Sequence, residues 1–350
     1  MHDLFSNGIC KYGLVEILNF YIYEKQYFTI QDFNDQRKKI SKNCLDSELQ
    51  RMPDISSHFS SKDKRKTVLL KLTSSEMRFL IHYFPLIAGR FIPRGDKVWT
   101  YCVALVKLVE MCLKRSFTET EIDKLQEAIT MRHELYKKLF NKDLKPKQHF
   151  VVHYPSVIRT SGPVEQMMCF RNEANHKNFK QYAHIMSSRK SISYTLYVKA
   201  SMKFAYDLLN ENFLKVELNN NFEFTDNRLR YYFKDIAQLT ILNNGFDVMM
   251  SKKINYKGTV YKSGSFIALG GKNGLSLYQV VEIVHQNCGY FLITQYWKEG
   301  HFDEHYMGFK AIESIPTYKI IDIEEIKNPP IMLHRIEELF YFRLKPSFND

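Results

Sequence analysis

Glu173 is the residue in this chain whose neighbours most resemble a chemical site. On a helical reading of the segment around it, His176, Lys177, Lys180 and His184 follow at offsets of three, four, seven and eleven, so one face presents a carboxylate among cations. A carboxylate in that setting can hold a divalent metal beside a phosphate. Taken alone, it reads more simply as an exposed helix acid paired with Lys177 or Lys180. His149 and His153 have the spacing of a zinc pair, but no two further ligands follow at metal spacing, so no zinc site is expected. Two basic clusters, Lys62 to Lys66 and Ser188-Arg189-Lys190, suit phosphate contacts or a merely solvated face.

The elements that must position these groups follow from periodicity and punctuation. Apolar residues at Leu14, Ile17, Leu18 and Tyr21 predict an amphipathic helix over Cys10 to Glu24, and Thr29 caps a second over Ile30 to Ile40. Ser41 to Lys66 reads as a loop. Thr73-Ser74-Ser75-Glu76 is a capping box that opens a helix carrying Met77, Leu80, Ile81 and Phe84, with Pro85 kinking or ending it. Further helices are expected over Trp99 to Leu113 and from Thr118 to about Phe140. Pro146 and Pro155 bracket Phe150-Val151-Val152, which predicts a short strand bearing His149 and His153. Gly162-Pro163 then supplies a turn, a helix carries Met167, Phe170 and Ala174, and Thr195 to Leu214 forms a last helix packed on the core. From Phe222 the pattern becomes short alternating runs between glycines, which is the signature of a small antiparallel sheet or barrel. Gly270-Gly271-Lys272-Asn273-Gly274 lacks the order of a phosphate loop and reads as a hairpin turn.

The run His153-Tyr154-Pro155, then Gly162-Pro163, then Arg171-Asn172-Glu173-Ala174-Asn175-His176 and Lys180, resembles the His-x-Pro, Gly-Pro and Arg-Phe-Glu-Ala-Lys-His signature of CACTA-type (En/Spm-like) transposases. Met1-His2-Asp3-Leu4 is similar to the string that follows the second catalytic aspartate in that family. The resemblance covers Met1 to about Leu209. It implies an α+β chain: a partial RNase H-like core interrupted by a large all-α insertion over about 10–140, in a domain spanning 1–218, followed by a small antiparallel β domain over 219–350. It also implies DNA strand cleavage and transfer by two metal ions held on three carboxylates, with Mg²⁺ as the ancestral cofactor. Glu173 matches the third carboxylate and would be the catalytic and metal residue. The second falls two positions before Met1 and the first further upstream, so this chain is expected to be a truncated or domesticated derivative, inactive alone. Asp3 belongs to the motif tail and is not the family's catalytic aspartate. Arg171, Lys177, Lys180, Arg189 and Lys190 would contact DNA.

Charge agrees with an anionic partner. Residues 219–350 carry 15 basic and 15 acidic side chains, so the whole formal net charge of +12 lies in residues 1–218. Such an excess favours phosphates through counterion release, without base specificity. A non-enzymatic protein-interaction or self-associating module with an incidental basic surface is the alternative. The composition, 45% apolar and 14% aromatic over 350 residues, is globular. Its longest apolar stretches are broken by charges or His, so no membrane span is expected. The six cysteines form no Cys-x-x-Cys pair, and reduced thiols in the nucleus or cytoplasm of a protein that is not secreted are expected.

Overall fold

The computed structural model describes residues 2–42, 47–60, 65–186, 190–211, 216–223, 248–271, 274–286, 289–326 and 328–344. The chain is a mixed helical and antiparallel-sheet protein. It divides into two compact units that interleave along the sequence: unit one holds residues 1–171, 301–310 and 334–350, and unit two the remainder. The expected boundary at residue 218 falls inside unit two.

Unit one is a helical pack. Helix α1 (Ile9–Asn19) continues into a π-helical turn at Phe20–Glu24, with Leu4, Phe5, Ile9, Leu14, Ile17 and Leu18 all fully buried. Helix α2 (Ile30–Lys42) opens where the Thr29 hydroxyl accepts from the Asp32 amide at 3.1 Å and the Asp32 carboxylate accepts from the Thr29 amide at 2.8 Å. The segment expected as a loop instead contains α3 (Ser47–Arg51) and an antiparallel hairpin, β1 (Ser56–Ser60) with β2 (Arg65–Leu69). Both capping boxes form as their spacing dictates. Thr73 with Glu76 opens α4 (Ser74–Ala88), and Thr118 with Glu121 opens α6 (Glu119–Phe140). Between them α5 (Lys97–Cys112) starts on the Asp96 carboxylate. Pro85 lies inside α4, which runs on to Ala88.

The strand expected at Phe150-Val151-Val152 is absent. That stretch is α7 (Pro146–Phe150), a 3₁₀ turn at Val151–His153 and α8 (Tyr154–Ser161). Each proline sits in the first turn of a helix, where its missing N–H leaves nothing unpaired, so the bracketing prolines mark helix starts. Val151 is fully buried in the helical core. Gly162 ends α8 at φ +89°, a conformation natural only to glycine. A turn over Val164 to Met167 leads to α9 (Phe170–Ile185), and the division between the units falls at its start.

Unit two contains the rest of α9, α10 (Ile192–Leu209) and a sheet. Its strands are β3 (Glu217–Glu223), β4 (Val248–Tyr256), β5 (Thr259–Lys262), β6 (Phe266–Gly271), β7 (Gly274–Gln286), β8 (Gly289–Asp303) and β9 (Gly308–Asp322). The order is β9-β8-β7-β4-β3, with β5 on β4 and β6 on β7. Strands β6 and β7 pair antiparallel up to Gly271 with Gly274, and Lys272 and Asn273 of the glycine-rich string lie outside the described residues. Ile254, Ile267, Val280, Ile283 and Leu292 form the sheet's core. Helix α10 departs from expectation: no residue in it is buried.

The far end of the β8–β9 hairpin, residues 301–310, and the short hairpin of β10 (His334–Ile336) with β11 (Leu339–Phe342) belong to unit one. Tyr306, Met307, Ile336 and Tyr341 join its hydrophobic core.

Candidate anion-binding pocket

The residues singled out by the motif are only partly brought together. His2 is exposed, its Nδ1 is 2.9 Å from the Ser6 hydroxyl, and the Ser74 hydroxyl donates to that of Ser6 at 2.8 Å, tying the first turn to the start of α4. Asp3 is half-buried, and its carboxylate contributes to raising the phenol of Tyr154, after the larger effect of burial. The rings of Phe5 and Phe170 lie 6.1 Å apart, tilted by 50°, so the chain's first residues and the start of α9 are neighbours. His149 and His153 lie on helical turns, not on a strand, with rings 5.3 Å apart and both residues exposed. Pro155 is buried in the first turn of α8, and Gly162-Pro163 forms the exit from it.

Arg171, Glu173 and Lys177 lie on α9, but their side chains are outside the described residues, as is Arg189 entirely. His176, Lys180 and Lys190 are exposed, and the ring of His176 lies 6.5 Å from that of Phe179. Cys10, Cys102 and Cys112 are buried with their thiols pushed up by burial, and Cys169 is exposed. Among the described residues no group of three or more His, Cys, Asp or Glu side chains is arranged to hold a metal. Glu165, an acid close to Glu173 in sequence, is instead paired with Arg78 at 3.6 Å and Arg115 at 4.0 Å. The described residues therefore do not make up a two-metal site.

A different set of side chains converges in unit one. Helix α2 buries Phe33, Asn34, Gln36, Arg37 and Ile40. Arg37 and Lys38 both bind the Asp54 carboxylate, and these two cations hold it below the ordinary carboxylate range. Lys39 and Lys42, in the last turn, are left on the open side, where they also complement the helix dipole. Helix α4 ends in a 3₁₀ turn, Gly89–Phe91, that carries Arg90 over the ring of Phe91 at 5.5 Å while its Nη1 donates to Gln36 Oε1 at 3.3 Å. Strand β10 supplies His334 and Arg335. Together Lys39, Lys42, Arg90, Arg335, His334 and Gln36 line a pocket of about 280 Å³.

The tip of the β8–β9 hairpin fixes the turn that carries Arg90. His305 Nε2 donates to the Gly89 carbonyl at 2.8 Å, and Trp99 Nε1 donates to the His305 carbonyl at 2.9 Å. A Cβ on Gly89 would meet the Tyr306 ring at 2.9 Å, so only glycine allows this approach. Arg94 binds Asp303 through both carboxylate oxygens at 3.1 and 2.7 Å, and the His305 amide and Tyr341 hydroxyl donate to the same group. Burial pushes the Asp303 carboxyl up, but Arg94 and the donated hydrogen bonds outweigh it, and the group stays below its ordinary range. Beyond β11, Arg343 reaches Glu110 and the His82 carbonyl.

No family model, curated protein or solved structure matches this chain.

The pocket's electrostatics follow from its pairings. Arg335 shares its charge with Glu338 at 2.8 Å. Lys39, Lys42 and Arg90 form no ion pair among the described residues, so three uncompensated cations face one concavity. A planar guanidinium flanked by two ammonium groups suits the tetrahedral oxygens of a phosphate. Of these cations, Lys39 lies on the helix expected over Ile30 to Ile40, while Lys42 lies in the segment expected as a loop and joins it because the helix runs on to Lys42. Nothing local announces that Arg90 and Arg335 join them.

Proposed function

We propose that this chain is a nucleic-acid-associating protein of transposase descent, in which a basic helical unit contacts the phosphate backbone. The observation that carries this reading is the cluster of Lys39, Lys42 and Arg90 around one pocket, in the half of the chain that holds the whole net positive charge. Descent is supported by the motif residues quoted above and by the packing of Phe5 on Phe170, which makes neighbours of the two segments that the resemblance places on either side of a helical insertion. On this reading α1 to α6 correspond to that insertion in an RNase H-like core, and Glu173 is its one carboxylate within this chain. The protein acts by binding, with no strand cleavage of its own.

Fluorescence anisotropy with a labelled DNA duplex tests it. Affinity should fall steeply and log-linearly as salt rises through roughly 50 to 200 mM. An absence of binding, or binding indifferent to salt, removes the physical support.

A second reading, a protein-interaction module, is favoured by α10, where Tyr194, Tyr197, Met202, Phe204, Tyr206 and Leu209 are each more than half exposed. Exposed apolar surface of that kind is uncommon on a monomer. Sedimentation equilibrium of the intact chain decides whether it self-associates.

A further inference from the structure

A second concavity in unit one has the chemistry of a ring-binding site. It lies where the π-helical turn after α1 meets the first turn of α2 and the β1–β2 hairpin, and it encloses about 680 Å³. That is within the range of small-molecule sites, roughly 300 to 1,000 Å³. π-Helical turns are rare and recur at functional sites. Here the turn leads into Gln26, which adopts the left-handed conformation at φ +54°, a strained choice for a residue with a side chain.

The consequence is the placement of Tyr27. Its ring stacks on Tyr21 at 5.8 Å with planes 21° apart, while the residue remains 39% exposed. Tyr21 is itself fixed by donating to Asp96 at 2.6 Å. Tyr27 is thus an aromatic platform held rigidly from behind and open in front.

The polar groups around the platform are of the kind that reads the edge of a heteroaromatic ring. Gln31 donates its amide to Asp35 at 2.9 Å, so its amide carbonyl is the group left to accept from a ligand. The Asp32 carboxylate is a further acceptor, held ionised by the amide and hydroxyl of Thr29. Gln26 adds an amide that both donates and accepts. Lys66 on β2 brings a cation to the rim.

We propose that this groove takes an unpaired nucleobase, stacked on Tyr27, from a nucleic-acid strand whose phosphates run along α2 toward Lys39 and Lys42. The proposal rests on the nucleic-acid reading above and adds single-strand recognition to it. One helix links the two pockets: Gln31 and Asp32 line the first, and Lys39 and Lys42 the second. At about 1.5 Å per residue, Gln31 and Lys39 are roughly 12 Å apart along the axis, a distance that a short run of nucleotides spans.

The test compares the intact chain on a blunt duplex and on the same duplex bearing a single-stranded overhang with 2-aminopurine, a fluorescent base. Binding should quench the overhang probe and favour the overhang substrate. Tyr27→Leu should abolish the quench and weaken overhang binding by about tenfold, the usual scale of one stacked base. It should leave affinity for the blunt duplex unchanged, and Tyr27→Phe should behave as the native chain. A quench that survives in Tyr27→Leu overturns the proposal. So does a native chain that binds the overhang no better than the blunt duplex, or that binds adenosine monophosphate as well as the overhang, which would mark a free-nucleotide site. Failure to bind either DNA would overturn the nucleic-acid reading itself. Blunt-duplex binding with no overhang preference overturns this inference alone.

Discussion

Replacing Lys39, Lys42 and Arg90 together by glutamine should flatten the salt dependence of DNA binding without unfolding the protein. The three side chains are exposed, and the hydrogen bond lost on changing Arg90 is a long one to Gln36, 3.3 Å. Surface changes of this kind usually cost within about 0.5 kcal/mol each. If each cation neutralises one phosphate, each contributes about 0.9 to the log-log slope against salt, so the triple change lowers that slope by about 2.7. Over a fourfold rise in salt, from about 50 to 200 mM, affinity should then fall about 40-fold less than it does for the native chain.

Anisotropy titrations at four or five salt concentrations measure the slope directly. The matched control replaces Lys252, Lys253 and Lys298, exposed lysines of unit two, which should leave the slope unchanged. A slope insensitive to Lys39, Lys42 and Arg90, or reduced equally by the control, would mean that the pocket is not where phosphates bind, whatever the total charge does.

Three further outcomes are expected. Arg132 is fully buried, its Nη2 bonds the Tyr101 hydroxyl at 2.7 Å, the Tyr101 and Tyr136 rings lie over its guanidinium, and Nε and Nη1 have no partner among the described residues. Arg132→Met combined with Tyr101→Phe, which removes both partners of that bond and loses only a long contact of 3.4 Å to the Ile9 carbonyl, should leave urea stability unchanged or raise it by about 1 kcal/mol, whereas Arg132→Ala should cost about 3 kcal/mol. Burial, and then the charge of Arg132, hold His133 down at about 4 against an ordinary 6.5. The unfolded chain therefore takes up a proton that the folded chain refuses: stability is intact above about pH 6.5, falls by roughly 2 kcal/mol as pH drops toward 4, and loses this sensitivity in His133→Gln, as urea midpoints across that window would register. Asp303→Ala strips Arg94, the His305 amide and the Tyr341 hydroxyl of a common acceptor, and should cost about 3 kcal/mol in thermal unfolding.

What could be read in advance was what is decided within a few residues. The openings of α4 and α6 were legible because Thr73 with Glu76 and Thr118 with Glu121 satisfy helix amides from three positions away, whatever surrounds them. The stretch from Pro146 to Ser161 was misread because a proline at the end of a strand and one in the first turn of a helix leave the same mark in sequence. Burial of Val151 among helices decides between them, and that is a tertiary fact. The pocket was illegible for a stronger version of the same reason. Arg90 and Arg335 lie far apart in the chain, and they meet because Tyr306 closes on a glycine and Asp303 takes hold of Arg94. Even within α2 the four cations Arg37, Lys38, Lys39 and Lys42 look alike as letters. Asp54, folding back from beyond α3, pairs with the first two and leaves the last two to face solvent. The charge excess of this half of the chain was therefore visible from composition, but which charges remain available to a phosphate is set by which carboxylates the fold brings back to them.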